Sequence, residues 1–348
     1  MFPILNRGLR PLGRRLALAG AAFVVAACSA TSPTPTPAPA SSGASPGGSG
    51  QAGCATGTAP ASVPGWTATA KSGALVPTLI SSEQVCGRNR LVFGFSTIAT
   101  DSSGQQVAVS AGSPDLAASV ALYDLSKDPA KPTMTANGRF EWAIEGKTGI
   151  YVADVTYPDA GDWGAEFTTT KQGEAPQTTR VRYQVQPDGV MPGLGDSVPA
   201  VKTPTAADVK GDLRQISTDP APNSRFYQMS EDQAIAQHKP FVMVFATPAF
   251  CTSQICGPTL NKLKDMASAY PDMTFINVEP YQMTWTGDRL QPVLDANGQL
   301  QPNDASKAFT LLSEPWIFVV DGNGHVTGSF EVIVGPDELK SAIAAASQ

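Results

Sequence analysis

The hydrophobic pattern of this chain changes period once, and that change limits the possible folds more than any other feature. Between positions 91 and 185 apolar residues recur at every second place. Leu91, Phe93 and Phe95 alternate, as do Val120 and Leu122, then Tyr151, Ala153, Val155 and Tyr157. Trp163, Ala165 and Phe167 follow, then Val181, Tyr183 and Val185. Successive side chains of a strand point to opposite faces, so the alternation describes strands with one buried face. Turn-forming runs separate them at Asp101-Ser102-Ser103-Gly104, Asn137-Gly138, Pro158-Asp159-Ala160-Gly161 and Gln172-Gly173. Short alternating strands joined by such turns predict an antiparallel β-sandwich over residues 63–187.

Beyond a Pro- and Gly-rich linker at 188–202, the period becomes mixed over residues 203–348. Ser230-Glu231-Asp232-Gln233 reads as a capping box opening a short helix that stops near Pro240. Phe241-Val242-Met243-Val244-Phe245 is continuously apolar, the pattern of a strand buried on both faces. Cys251 and Cys256 come next, followed by Leu260, Leu263, Met266 and Ala267 at helical spacing. Further strands are expected at 273–278, 316–320 and 326–330, and Gly335-Pro336-Asp337-Glu338 starts a closing helix.

The N-terminus is neither of these things. Its only charged side chains before position 71 are Arg7, Arg10, Arg14 and Arg15, ahead of the twelve-residue apolar run 16–27. Such a run is too short to span a bilayer but suits the hydrophobic core of a secretory signal. Val25-Ala26-Ala27-Cys28 resembles the bacterial lipobox, whose Cys is diacylated and becomes the new N-terminus. That resemblance assigns 1–27 to a lipoprotein signal peptide and Cys28 to lipidation, and it accounts for an odd total of five Cys. It implies a bacterial cell-membrane protein, lipid-anchored and facing the extracytoplasmic side. Residues 28–62, rich in Ser, Thr, Pro and Gly, read as a disordered tether. Removing the leader leaves 20 basic against 30 acidic residues, a net charge of −10, which argues against nucleic-acid partners. In an oxidising compartment Cys54 and Cys86 are expected to form a structural disulfide.

Two further resemblances carry expectations of fold and activity. Gly149 to Trp163 is similar to the penultimate hairpin of immunoglobulin-like domains on bacterial surface and copper-handling proteins. Residues 226–348 resemble membrane-tethered thioredoxin-like proteins of the TlpA kind. Three motifs carry the likeness: Phe245 to Cys251 as the strand-to-active-site turn, Glu314-Pro315 as the cis-proline loop, and Trp316 to Gly324 as the next strand and its turn. Together they imply a two-domain chain, an immunoglobulin-like antiparallel β-sandwich followed by an α/β thioredoxin fold. They also imply a thiol–disulfide oxidoreductase acting on protein thiols and disulfides without a cofactor. In that role Cys251 attacks, Cys256 resolves, and Pro315 shapes the edge that meets the partner.

The family's CxxC is here CxxxxC. Helical residues five apart have Cα atoms about 8.6 Å from each other, whereas a disulfide spans about 4.4–6.8 Å. The pair therefore closes only if the intervening residues form a loop or the helix start unwinds. A static structural disulfide on a scaffold domain of a binding or assembly lipoprotein is the alternative. The string Cys251 to Gly257 is also similar to peroxiredoxins, but Val244 and Pro248 stand where those enzymes have Pro and Thr, and Arg289 is the only Arg after Cys251. A copper site of the Sco kind needs a His where Glu314 stands, with His325 at the strand's other end. Zinc would find only two Cys, so no metal is expected. His238 reads as a surface residue, Phe250 and Trp316 as aromatics beside the thiol, and Glu279 as the one weak candidate for a buried proton-shuttling carboxylate.

Overall fold

The computed structural model describes residues 54–66 and 75–348. The segment read as a signal peptide, Cys28 as the expected lipidation site and residues 28–53 of the expected tether lie outside the described residues. The alternating segments form nine strands: β1 (Thr56–Gly57), β2 (Val76–Leu79), β3 (Gly87–Thr100), β4 (Gln106–Ser110), β5 (Leu116–Asp124), β6 (Met134–Ile144), β7 (Thr148–Tyr157), β8 (Ala160–Lys171) and β9 (Gln177–Val185). They belong to one sheet, ordered β1-β8-β5-β6-β7-β3-β2, with β4 on β3 and β9 on β8. β6 is the strand that keeps it continuous. Its first half, Met134 to Gly138, pairs with β5, and from Arg139 onward it pairs with β7. The sheet thereby curls over its own inward side chains, among them Phe93, Phe95, Leu122, Tyr151, Trp163 and Phe167.

Asn137-Gly138 is not a turn, because it lies inside β6 at the switch of partners. A Cβ on Gly138 would meet Phe93 Cζ at 2.9 Å and Tyr151 Cβ at 3.1 Å, so the glycine admits close packing rather than chain reversal. Gly161 serves a different need. Its φ of +116° suits glycine, and a Cβ there would lie 1.9 Å from the Gly57 carbonyl where β1 pairs in parallel with β8.

The second region contributes α1 (Glu231–Ala236), β10 (Phe241–Phe245), α2 (Cys256–Ala267), β11 (Thr274–Val278), β12 (Met283–Trp285), β13 (Leu290–Pro292), α3 (Asp304–Ala308), β14 (Trp316–Val320), β15 (Val326–Glu331) and α4 (Pro336–Ala346). A four-stranded sheet runs β11-β10-β14-β15, with β10 parallel to β11 and antiparallel to β14. Leu260, Leu263, Leu339 and Ile343 from α2 and α4 pack on one face, against Val242, Val244, Ile317 and Val319. Ala234, Ala305 and Phe309 cover Phe241, Met243, Phe245 and Phe318 on the other. Burial on both faces is the physical reason for the unbroken apolar run at 241–245.

The expected immunoglobulin-like β-sandwich followed by an α/β thioredoxin fold is therefore corrected. The described residues are mostly β, 39% strand against 14% helix, and their largest element is one curled mixed sheet rather than two facing antiparallel sheets. Alternation reports that one face is buried, and a sheet curled on itself satisfies that as well as two sheets do. In the second region the helices are few. α1 has six residues and α3 five, and the β12–β13 hairpin stands between β11 and α3.

Cys54 and Cys86 are joined by a disulfide, Cα to Cα 6.4 Å, across a separation of 32 residues. Closing a loop of that length restricts the unfolded chain by about 3–4 kcal/mol. Chemical denaturation of the Cys54→Ala, Cys86→Ala double variant is expected to show a loss of about that size. A loss below about 1 kcal/mol would mean that the bridge does not restrain the unfolded chain.

Candidate functional site

β10 delivers the chain into a tight turn that carries the first cysteine. Ala246 N still donates to Val278 O at 3.0 Å, and Phe250 N closes on Thr247 O at 3.2 Å, so the backbone reverses just before Cys251. Residues 251–255 are not helical. Gln254 has a φ of +61°, and its N–H donates to Cys251 O at 3.1 Å. α2 begins only at Cys256, so the intervening residues form the loop that the five-residue spacing requires of a bonded pair. The loop brings the two Cα atoms to 6.0 Å, within disulfide range, and the pair is bonded.

The helix start nevertheless acts on Cys251. Cys256 N, one of the free amides of the first turn of α2, points at Cys251 Sγ at 3.3 Å, and Ser253 Oγ lies 3.2 Å from the same sulfur. An amide and a hydroxyl beside that sulfur favour negative charge there once the bond is cut. Cys251 keeps 9% exposure, whereas Cys256 has none. The two sulfurs are thus unequal: one is reachable and anion-stabilised, the other is sealed.

Two loops close around the pair. The Glu314–Pro315 peptide is cis, and Pro315 O accepts from Val332 N at 2.9 Å. Val332 O in turn accepts from Thr259 Oγ1 on α2 at 2.7 Å. This chain of bonds ties the proline loop, the segment after β15 and the cysteine-bearing helix into one frame. Glu314 is half-buried. Its carboxylate and the sulfurs of Cys251 and Cys256 all lie within 4.8 Å of one another. Burial raises its pKa above the ordinary carboxylate value, only partly opposed by a hydrogen bond from the Tyr281 hydroxyl. Because the two sulfurs are bonded to each other, this trio offers no thiolate to a metal ion.

The curled sheet reaches the same place. Val92, Ala143 and Ile150 form one cluster with Val332 and Ile333, with Ile255 packed against it. Lys147 Nζ, on the β6–β7 turn, lies 3.5 Å from Gln254 Oε1. Glu331 is gripped from both sides. It accepts from Ser82 N at 2.8 Å and Ser82 Oγ, and from Ser313 Oγ at 2.5 Å just before Glu314.

Other candidates lie further out. Glu279 is buried and its pKa is raised to about 7 by desolvation, with hydrogen bonds from Thr218 N and Oγ1 pulling the other way. It reaches the cysteine turn through Thr247 and through Thr218, whose Oγ1 accepts from Ala249 N at 3.2 Å. His238 is exposed, its Nδ1 3.1 Å from Gly322 O. Trp316 is buried and donates to Ser329 Oγ at 2.9 Å. Two open hollows lie on the curled sheet, one bounded by Leu75 and Lys171 and one by Asp124 and Pro158, and neither includes a cysteine. Among the described residues no helix is long and apolar enough to cross a membrane. Glu314 is legible in the sequence as part of the cis-proline loop and as the residue where a copper site needs His, but not as a carboxylate facing the two sulfurs. Its place immediately before Pro315 was the available signal, and Tyr281 gave none.

No protein-family model matches the chain, and no curated protein matches it. Among solved structures it is similar to the crystal structure of a DUF4426 family protein from Pseudomonas aeruginosa PAO1. Identity is 13%, over 33% of this chain and 91% of that one, with a TM-score of 0.21. A likeness at that score carries no argument about fold or function.

Proposed function

We propose that this protein is a membrane-tethered, extracytoplasmic thiol–disulfide exchange protein whose partners are the thiols and disulfides of other proteins. The observation that carries the reading is the asymmetry of the bonded pair. Cys251 keeps 9% exposure and is faced by the first amide of α2, whereas Cys256 is fully sealed. Attack on a disulfide favours the more accessible sulfur, and the amide facing Cys251 favours it as the thiolate that attacks or is expelled from a mixed disulfide, so Cys251 forms the mixed disulfide and Cys256 resolves it. The motif likeness to TlpA-kind proteins supports the same roles. The tether rests on the lipobox-like Val25 to Cys28.

The test is to trap mixed disulfides in membrane fractions with a Cys256→Ala variant and identify what is attached. Attached partner proteins are expected. A Cys251→Ser variant is expected to trap nothing and to lose exchange with a dithiol reporter, and Cys28→Ala to leave the membrane fraction. One observation favours a second reading, a static staple in a scaffold. Cys251 is only 9% exposed, and Ile255 beside it is packed under the curled sheet. A reduction potential below about −300 mV for the 251–256 pair would decide for the staple.

A further inference from the structure

We propose that Glu314 is the proton donor and acceptor of the Cys251–Cys256 pair during exchange with protein dithiols, an inference that rests on the exchange reading above. The carboxylate lies within 4.8 Å of both sulfurs, a distance that one water or a small rotation of a freed thiol closes. The groups that titrate beside it are Tyr281, from the segment after β11, and the two cysteines themselves. Tyr281 fixes the carboxyl by donating to it, and keeps its own proton because burial and Glu314 both raise its pKa. Glu279, the other buried carboxylate near this turn, acts on the backbone of Ala249 through Thr218 rather than on sulfur.

The step balances without any further reactant. A substrate thiolate attacks Cys251 Sγ, the Cys251–Cys256 bond breaks, and its electron pair leaves on Cys256 Sγ. Protonated Glu314 gives its proton to that sulfur. The resulting carboxylate then takes the proton of the substrate's second thiol. That sulfur attacks the substrate sulfur of the mixed disulfide and expels Cys251 as thiolate. The substrate loses two electrons and becomes a disulfide, the cysteine pair gains them, and Glu314 ends protonated as it began. Run backwards, the same sequence reduces a substrate disulfide. Burial, which holds the Glu314 pKa above the ordinary carboxylate value, keeps part of it protonated closer to neutral pH, where the donor is needed.

The experiment measures exchange rates of the full chain with dithiothreitol and with a peptide dithiol from pH 5 to 9. Wild type is expected to show a rate that rises with the attacking thiolate and falls again as Glu314 ionises. Glu314→Gln, which keeps an acceptor for Tyr281, is expected to slow exchange about 100-fold near neutral pH and to lose the falling limb. Glu314→Asp should recover part of the rate and restore the limb, which a merely structural role would not do. Glu279→Gln should keep both rate and limb. If Glu314→Gln exchanges at the wild-type rate with an unchanged profile, this inference fails and the exchange reading stands. If wild type exchanges with neither dithiol, the exchange reading fails and takes the inference with it.

Discussion

Arg90→Ala is expected to destabilise the protein by about 3–5 kcal/mol, because it strands a buried charge and two carbonyls at once. Arg90 leaves β3 and forks onto Glu338 of α4, with Nε to Oε1 at 2.7 Å and an Nη to Oε2 at 3.2 Å. The same guanidinium donates to Glu331 O at 3.1 Å and Ile333 O at 2.8 Å, the carbonyls around the turn after β15. Both side chains are shielded, at 12% and 17% exposure. Burial alone would raise the Glu338 pKa; its bonds to Arg90 and Gly335 N, with Arg139 nearby, bring it below the ordinary value instead. Arg139 stays 2.9 Å from Glu338 after the substitution, which places the expected loss toward the lower end. Urea denaturation with both disulfides intact measures it. A change under about 1 kcal/mol would show that the pair behaves as an exposed one.

This contact also shows where the sequence falls silent. Arg90 and Glu338 stand 248 positions apart, and no local pattern couples them. Alternation placed β3, β5, β7, β8 and β9 correctly because each turns alternate side chains into the core of the curled sheet. It could not reveal that β6 changes partner at Gly138, since either pairing keeps the same inward residues. The site was legible in its covalent part. Five-residue spacing excludes a helical bridge, and the chain does form a loop between Cys251 and Cys256. What lay hidden was everything brought from elsewhere: Val332 from beyond β15, Tyr281 from beyond β11, and the apolar cover from β3, β6 and β7. Each of these arrives by tertiary packing, and packing between distant segments leaves no spacing to read.

Stability is expected to fall as pH rises from about 4.5 to about 8, the reverse of a protein held by paired carboxylates. Glu231 and Glu279 are the cause. Glu231 is fully buried. Its Oε2 accepts from Val201 N at 2.7 Å, while Oε1 has no partner among the described residues. Desolvation raises its pKa to about 8, and that of Glu279 to about 7, from an ordinary 4.5. Below pH 4.5 native and unfolded chains both carry these protons, so the native state loses nothing. Above it the unfolded chain releases them while the native chain holds on until pH 7 or 8, so protons bound in the native state exceed those in the unfolded state. Unfolding free energy then drops with pH across that window and levels off beyond it. At roughly 1.4 kcal/mol per pKa unit, the two groups together account for a loss on the order of 8 kcal/mol. Glu83 and Glu314, also raised by burial, add in the same direction. Urea midpoints measured from pH 4.5 to 8.5 read the slope directly. Glu231→Gln and Glu279→Gln should each flatten it, because an amide stays neutral at every pH. A wild-type curve that rises over this window, or one whose slope neither substitution changes, would show that both carboxyls ionise in the native protein as freely as they do in water.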